Sequence, residues 1–234
     1  MKGIKKNLVA GFLACSALHA QAGPNPWGAG VKAGYQATWA SVDEKTVKID
    51  GKDPKNPWSH WANGGLYGEY AFSDYVGGQL AAFYARKNAS LKKDGVDKAA
   101  LTVQSYGITF PLSCYVYPLG REAEEGMLKF HFGVHAFLPL STKLEKEGQE
   151  VKNLTDDQQK EVPKWDGGGH AGAGWEFPFG LTVEARYHMN FRNRFTLEKD
   201  KEQTIFRNVS GLKKLQENDL TVNVGYNLAF LFTA

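Results

Sequence analysis

The chain has 234 residues with 28 Lys and Arg, 25 Asp and Glu, and a formal net charge of +3. Three of the basic residues lie within the first six positions, so the remaining 25 balance the 25 acidic residues. A nucleic-acid-binding domain would carry a basic surplus or patch, and we therefore expect no nucleic-acid partner. The length fits one domain of the all-β kind.

The N-terminal region predicts a secretory signal peptide. Its lysines precede an apolar run over about 8–18, which is too short to span a bilayer, and the small residues Ala20 and Ala22 follow. We therefore expect residues 1–22 to be removed and residues 23–234 to form a single mature domain.

The two cysteines lie far apart in the chain. Cleavage after the signal would discard Cys15, although an acylated Cys15 as the first residue of a lipoprotein is the alternative. With Cys15 removed, Cys114 is the only cysteine left. The exported chain then contains no internal disulfide.

Eight segments alternate between apolar and polar residues, as do β-strands with one apolar face. The clearest is GLTVEARYHMNF at 180–191. No stretch shows a competing helical periodicity. An even number of strands allows an up-and-down sheet to close on itself and lose its edges. In order, the segments are roughly 30–40, 65–73, 75–86, 102–117, 127–140, 167–177, 180–191 and 219–232.

The connections between these segments alternate in length. Those after the second, fourth and sixth segments are short, whereas the others are long and charged, as at 141–166 and 192–218. Short turns at one end and long loops at the other are typical of outer-membrane barrels. We predict an all-β fold: an eight-stranded antiparallel up-and-down transmembrane β-barrel with extracellular loops.

The two faces of the predicted strands differ in bulk. One face carries large apolar side chains such as Tyr35, Phe132 and Tyr187, and the other carries glycines and isolated polar residues. Side chains just fill the interior of a barrel of about eight strands, so we expect the small and polar face inside and the aromatic face against lipid. The alternative is a soluble lipocalin-like barrel with an apolar ligand cavity, which the loop asymmetry disfavours.

Six stretches resemble one family of outer-membrane proteins: GVKAGYQATWA, GGLYGEYAFSD, YVGGQLAAFYARKNA, YGITFPLSCYVYP, GGGHAGAGWEF and NVGYNLAFLF. Together they resemble the outer-membrane protein β-barrel domain family, the PorT-like or "porin family" group of Gram-negative bacteria. The resemblance implies an eight-stranded barrel in the outer membrane and little biochemistry. Thr109 stands where the family often has a glutamate, and Phe232 is followed by two further residues.

Four histidines share the lumen-facing parity. If residues 178–180 form a three-residue turn, antiparallel counting places His170 opposite His188, with His135 on the neighbouring strand. Three imidazoles are a usual donor set for an open zinc site. Hydrogen-bonded packing of these three histidines and His131 in the lumen is the favoured interpretation, so we predict no metal and no other cofactor.

Charged residues of the same parity predict a plugged lumen. Glu184 and Arg186 share one face, and an unpaired charge in a narrow, side-chain-filled interior would be costly. We therefore predict that the lumen charges pair with one another. The polar network predicted to fill the lumen consists of Gln36, Glu69, His131, Glu176, Glu184 and Arg186.

These features favour a non-enzymatic outer-membrane protein whose charged loops serve surface interaction or envelope structure. We predict no catalytic residues, because the lumen histidines point away from lipid. The expected partners are outer-membrane lipids and, through the loops, envelope or extracellular proteins. The alternative is an accessory role in protein secretion or small-solute passage, and a lipid-A-modifying enzyme is a third class.

Overall fold

Eight long strands dominate the computed structural model, which describes residues 26–42, 48–49, 54–55, 57–93, 99–121, 125–146, 152–153, 165–191, 209–210 and 215–229. The predicted signal peptide and Phe232 lie outside these residues. The strands are β1 (Trp27–Val42), β2 (Ser59–Ala71), β3 (Val76–Lys93), β4 (Ala99–Val116), β5 (Met127–Lys146), β6 (Asp166–Glu176), β7 (Leu181–Asn190) and β8 (Leu215–Asn227).

The sheet closes into a barrel. Each strand is antiparallel to the next along the chain, and β8 pairs with β1 from Gly30↔Asn227 to Val42↔Leu215. This closure gives both edges of the sheet a hydrogen-bonding partner. The predicted eight-stranded antiparallel β-barrel is confirmed. Among the described residues, no helix is long and apolar enough to cross a bilayer.

Short turns gather at one end of the barrel, which we call the turn end. Between β2 and β3 the Ser73 hydroxyl accepts the backbone N–H groups of Tyr75 and Val76. Between β6 and β7 the Phe177 N–H donates to the Leu181 carbonyl, and Gly180 has a φ of 87°, a left-handed conformation that glycine adopts without strain. The predicted three-residue turn is therefore confirmed.

At the opposite, loop end, several strands are longer than predicted. The tenth and last residue of β7 lies at this end, whereas β5 has 20 residues and continues to Lys146. About 9–11 residues suffice to cross a bilayer, so β3, β4 and β5 extend beyond it. Alternation fades there because the outer face no longer meets lipid, but the hydrogen-bond ladder continues. Three two-residue bridges also occur: Lys48–Ile49 with Val209–Ser210, Pro54–Lys55 with β3, and Lys152–Asn153 with β5.

The outer surface is apolar, as the parity of the strands predicted. On β5, Phe132 and Val134 are each 56% exposed, whereas His131 and His135 are buried. Bands of exposed aromatic residues lie near both ends, the arrangement found at the two interfaces of outer-membrane barrels. The exposed aromatics are Trp27, Tyr75 and Phe179 near the turn end, and Trp58, Trp61, Trp165 and Phe191 near the loop end.

The expectation of a lumen holding only small and polar residues is wrong in one respect. Five aromatic side chains also point inward, and glycines on neighbouring strands make room for them. A Cβ at Gly107 would lie 2.7 Å from the Phe137 ring, and one at Gly30 would lie 2.7 Å from that of Tyr67. The alternation along each strand did not predict these inward aromatics, because it does not show the space that glycines leave on a neighbouring strand. The inward aromatics are Tyr67, Phe83, Tyr115, Tyr117 and Phe137.

A charge on the outer wall tests the lipid-facing surface. Val222 is exposed and pairs with Ala185 near the middle of β7. We expect Val222→Arg to lower the free energy of unfolding in lipid vesicles by about 2–4 kcal/mol, because the cost of arginine is largest at the bilayer midplane. The measurement is urea unfolding followed by tryptophan fluorescence.

The matched control is Leu140→Arg, since Leu140 lies past the pairing of Phe137 with the first residue of β6. There the expected cost is about 0–1 kcal/mol. Equal costs at Val222 and Leu140 would contradict the membrane position given to the barrel.

Candidate functional site in the barrel lumen

The lumen is lined by charged side chains removed from water. Four cationic and six acidic residues are buried among the described residues. An isolated buried ion carries a desolvation penalty of several kcal/mol, so each needs a partner. The strands supply partners at three levels along the barrel axis. The ten residues are Lys32, Lys87, Lys129, Arg186, Glu69, Asp166, Glu176, Glu184, Glu217 and Asp219.

The turn-end cluster is centred on Lys129 of β5. Its ammonium group lies 3.2 Å from Glu69 Oε1 and also forms an ion pair with Glu176, which is fully buried. Asn227 Nδ2 donates to Glu176 Oε1 over 3.2 Å, and Gln79 Nε2 donates to Glu69 Oε2 over 3.3 Å. The cluster therefore joins strands from opposite sides of the lumen.

The middle cluster is centred on Glu184 of β7. Lys32 Nζ lies 2.7 Å from Glu184 Oε2, and Arg186 Nη2 lies 3.3 Å from Oε1. The Tyr115 hydroxyl accepts from Arg186 and donates to Gln79 Oε1 over 3.0 Å. Because Gln79 also bonds to Glu69, the middle and turn-end clusters form one connected network.

The third cluster is centred on Asp219 of β8, closer to the loop end. Lys87 Nζ lies 3.3 Å from Asp219 Oδ2. Thr38 Oγ1 and Gln36 Nε2 donate to Asp219 Oδ1 over 2.7 and 3.2 Å. Lys87 also donates to Asn190 Oδ1 over 3.3 Å. Here one cation and one carboxylate balance, and neutral side chains satisfy the remaining oxygen.

Three histidines lie together beside the third cluster, where His188 pairs with Asp219 across β7 and β8. His170 of β6 pairs directly with His188 of β7, and the rings are 5.4 Å apart between centroids. The ring of His135 of β5 lies 4.8 Å from that of His188. One donor nitrogen from each of the three lies within 4.8 Å of the other two. The sequence therefore predicted that these histidines lie together, while the expectation that they serve packing and hold no metal stays a prediction.

Glycines on β6 leave space for the imidazoles of β5. A Cβ at Gly168 would lie 2.6 Å from Cε1 of His135, and one at Gly172 would lie 2.6 Å from Cε1 of His131. The run GGGHAGAG therefore admits a layer of rings that larger residues would displace. His131 is not one of the three clustered donors, although its ring lies 6.1 Å from that of His170. It packs on the Tyr115 ring at 5.1 Å and makes no hydrogen bond within the described residues.

The predicted network is present in a different arrangement. Glu69 and Glu176 share Lys129, Glu184 and Arg186 contact each other, and Gln36 belongs to the Asp219 cluster. His131 contributes packing instead of hydrogen bonds. Sequence reasoning did not assign Lys87, Lys129, Tyr115 and Asp219 to the network, although the parity of β5 would have placed Lys129 beside His131.

A small cavity lies in the lumen between described residues, with about 20 Å³ open to the centre of a water molecule. It borders Arg186 and His188. Such a volume is enough for about one water molecule or one ion. Nε and Nη1 of Arg186 make no hydrogen bond to the described residues and lie in the same region.

A closed sheet with an apolar exterior and a polar, ion-paired interior defines a transmembrane β-barrel protein. Residues 19–196 match the family described as "Outer membrane protein beta-barrel domain". This match covers more than half of the chain, so the chain belongs to that family, and it is an outer-membrane protein in contact with outer-membrane lipids. The narrower PorT-like resemblance stays a prediction.

Solved structures of small outer-membrane proteins are similar to this chain. OprG from Pseudomonas aeruginosa is 16% identical over 90% of this chain and 98% of its own, with a TM-score of 0.42. Ail of Yersinia pestis is 15% identical over 87% of this chain and 99% of its own, with a TM-score of 0.41. No curated protein sequence matches the chain.

Removal of Lys129 tests the ion pairing of the lumen. We expect Lys129→Met to lower the free energy of unfolding by about 3–5 kcal/mol, because it leaves two buried carboxylates without their common cation. The measurement is urea unfolding of the refolded protein in lipid vesicles.

The matched control is the triple variant Lys129→Met, Glu69→Gln, Glu176→Gln. It removes the charges together and should regain most of the lost stability. An unfolding midpoint of Lys129→Met equal to that of the unaltered protein would show that the cluster contributes no net stabilisation.

Proposed function

We propose that this protein is a non-enzymatic, non-conducting outer-membrane barrel that acts through its extracellular loops, in surface interaction or envelope structure. The observation that carries the proposal is the ion-paired lumen, with clusters on Lys129, Glu184 and Asp219 at successive heights. A barrel built to pass solutes would leave an open path between such groups.

The packing of the lumen supports a plug. Arg186, Tyr115 and Phe137 are among the largest fully buried side chains and project from three different strands. The cavity beside Arg186 has about 20 Å³ open to the centre of a water molecule, which is room for about one water. A solute would have to separate buried ion pairs in order to pass, and breaking such a pair costs several kcal/mol.

The loops supply the surface for the proposed role. The sequence between β5 and β6 includes EGQEVKNLTDDQQKEVPK at 147–164, and that between β7 and β8 includes RNRFTLEKDKEQTIFRN at 192–208. Both are rich in charge of either sign. In an outer-membrane barrel the long connections face the exterior, where they are free to meet envelope or extracellular proteins. Removal of residues 1–22 on export would leave residues 23–234 as the mature barrel.

The positions of the imidazoles support a non-enzymatic role. Of the five histidines among the described residues, four lie inside the lumen, and only His60 is exposed, where it contacts the Tyr35 hydroxyl. A catalyst acting on a lipid would need its acid or base at the outer wall. The lumen imidazoles are separated from the lipid by the sheet itself.

Planar-bilayer recording tests the plug. We expect the purified protein to insert without stable conductance, and the variant Arg186→Gly, Tyr115→Ala to open a small channel, because it removes two large side chains from the middle cluster. Tyr187→Ala is the matched control, since Tyr187 lies on the outer wall and its loss should leave the lumen closed. Stable unitary conductance of the unaltered protein would overturn the non-conducting role and favour solute passage.

Cross-linking in intact cells tests the loops. A Gly-Ser segment of equal length in place of residues 195–206 should abolish cross-linked species while the barrel keeps its heat-modifiable gel mobility. We expect this loss because the replacement removes the charged side chains through which the loops are proposed to bind a partner. Unchanged cross-linking after the replacement would place the partner surface elsewhere, on the barrel wall or in other loops.

A further inference from the structure

In the three-histidine cluster of His135, His170 and His188, the ring nitrogens have positions that suit metal ligands. The three residues come from the adjacent strands β5, β6 and β7, and all three are buried. Nδ1 of His135 and Nδ1 of His188 are 3.4 Å apart. Two imidazole nitrogens bound to one tetrahedral zinc ion lie about 3.3 Å apart, given Zn–N bonds of about 2.0–2.1 Å. This pair therefore already has the spacing of two ligands on one metal ion.

Hydrogen bonds at the far side of the His135 ring fix the direction of its lone pair. Asn190 Oδ1 lies 2.7 Å from His135 Nε2 and 3.3 Å from Lys87 Nζ. Lysine can only donate, so the amide atom it contacts is the oxygen, and His135 Nε2 must carry the hydrogen. The neutral ring then presents its Nδ1 lone pair to His188.

His170 is held in the same manner. Its Nε2 lies 2.8 Å from the Ser113 hydroxyl, whereas its Nδ1 is buried and makes no hydrogen bond within the described residues. A metal-binding histidine commonly uses its second ring nitrogen to donate to an oxygen of the protein, which orients the ring. Ser113 and Asn190 stand in that relation to His170 and His135. Because Ser113 occupies Nε2, Nδ1 is the nitrogen of His170 that remains to bind an ion.

The surroundings provide an open position and compensating charge. The cavity of about 20 Å³ borders His188, so a fourth ligand such as water has room beside the cluster. Arg186 lies nearby, but its guanidinium is bonded to Glu184. Asp219 lies directly opposite His188 in the β7–β8 pair, and Asp166 is buried at the loop end of β6. Lys87 already balances Asp219, whereas Asp166 belongs to none of the three ion-paired clusters and can offset part of the positive charge that an ion would bring.

We propose that His135, His170 and His188 bind one divalent transition-metal ion of the zinc class inside the barrel. Imidazole is a suitable ligand for Zn²⁺, Ni²⁺ and Cu²⁺, and three imidazoles with one open position match a three-histidine zinc site. The bound ion links β5, β6 and β7 near the loop end, with Ser113 and Asn190 orienting two of the rings. This assignment does not depend on the role proposed for the loops or on a closed lumen.

Zinc titration of the full-length protein tests the site. The detergent-extracted barrel is treated with chelator, dialysed, and titrated with zinc chloride by calorimetry, with nitrogen-15 NMR of labelled histidines in parallel. We expect one ion per chain, displaced Nδ1 resonances of the three cluster histidines, and a higher urea midpoint with zinc present. No binding, or binding that leaves those resonances unmoved, would overturn the proposal.

Variants separate this site from adventitious binding. His170→Gln should abolish the tight site, and Ser113→Ala should weaken zinc binding about 10–100-fold, because it removes the group that orients His170. His131→Gln keeps all three donors and should weaken zinc binding less than His170→Gln does, although the His131 ring lies 6.1 Å from that of His170. His60→Gln is the control for binding at an exposed histidine and should leave the affinity unchanged.

The Ser113→Ala variant keeps the test decisive even if the His170→Gln protein does not fold. If His170→Gln fails to show heat-modifiable mobility, the smaller change at Ser113 and the NMR of the unaltered protein decide the outcome. Equal zinc affinity in the unaltered protein and in Ser113→Ala, or loss of binding in His60→Gln, would assign the ion to another place and refute the lumen site.

Discussion

Backbone hydrogen bonding in a medium without water is the constraint on which this structure depends. An unpaired N–H or C=O in hydrocarbon costs several kcal/mol, so a sheet can cross the bilayer only if it has no edges. The pairing of β1 with β8 meets that condition. With eight strands, the closed interior is only as wide as the side chains that fill it. The charged side chains of the inward face must then pair with one another inside this narrow space.

In the lumen, charged side chains on different strands form ion pairs, and some of them contact two partners at once. Lys129 serves two carboxylates and Glu184 serves two cations, so the surplus of one cluster offsets that of the other, and Gln79 connects them. Glycines on β6 leave room for the imidazoles in the same interior. The result is an interior in which polar groups provide the packing that apolar side chains provide in a soluble domain.

Much of this was readable from the sequence, because a period of two assigns every strand residue to one wall once a single strand is oriented. The parity of β7 and the turn at Gly180 sufficed to place His170 opposite His188. The partners across the lumen could not be read in this way, since barrel shear decides which heights meet. The Lys87–Asp219 pair was missed for a further reason: Lys87 lies one residue beyond the predicted segment, where the outer face ceases to alternate. The inward aromatics fit because glycines on other strands leave room for them, and the periodicity of a single strand does not show that room.

The ion pair of Lys32 with Glu184 also bears on how the barrel assembles. The two residues are 152 positions apart, on β1 and β7, with β8 lying between their strands. The pair forms only after β8 has paired with both β7 and β1, so the charge of Lys32 on the first strand is neutralised only when the last strands are in place. Contacts of such long range slow folding, since the whole intervening chain must be ordered first. A half-built sheet can form pairs between adjacent strands, such as Lys129 with Glu176, but the charge of Lys32 meets its carboxylate only when the two ends of the chain come together.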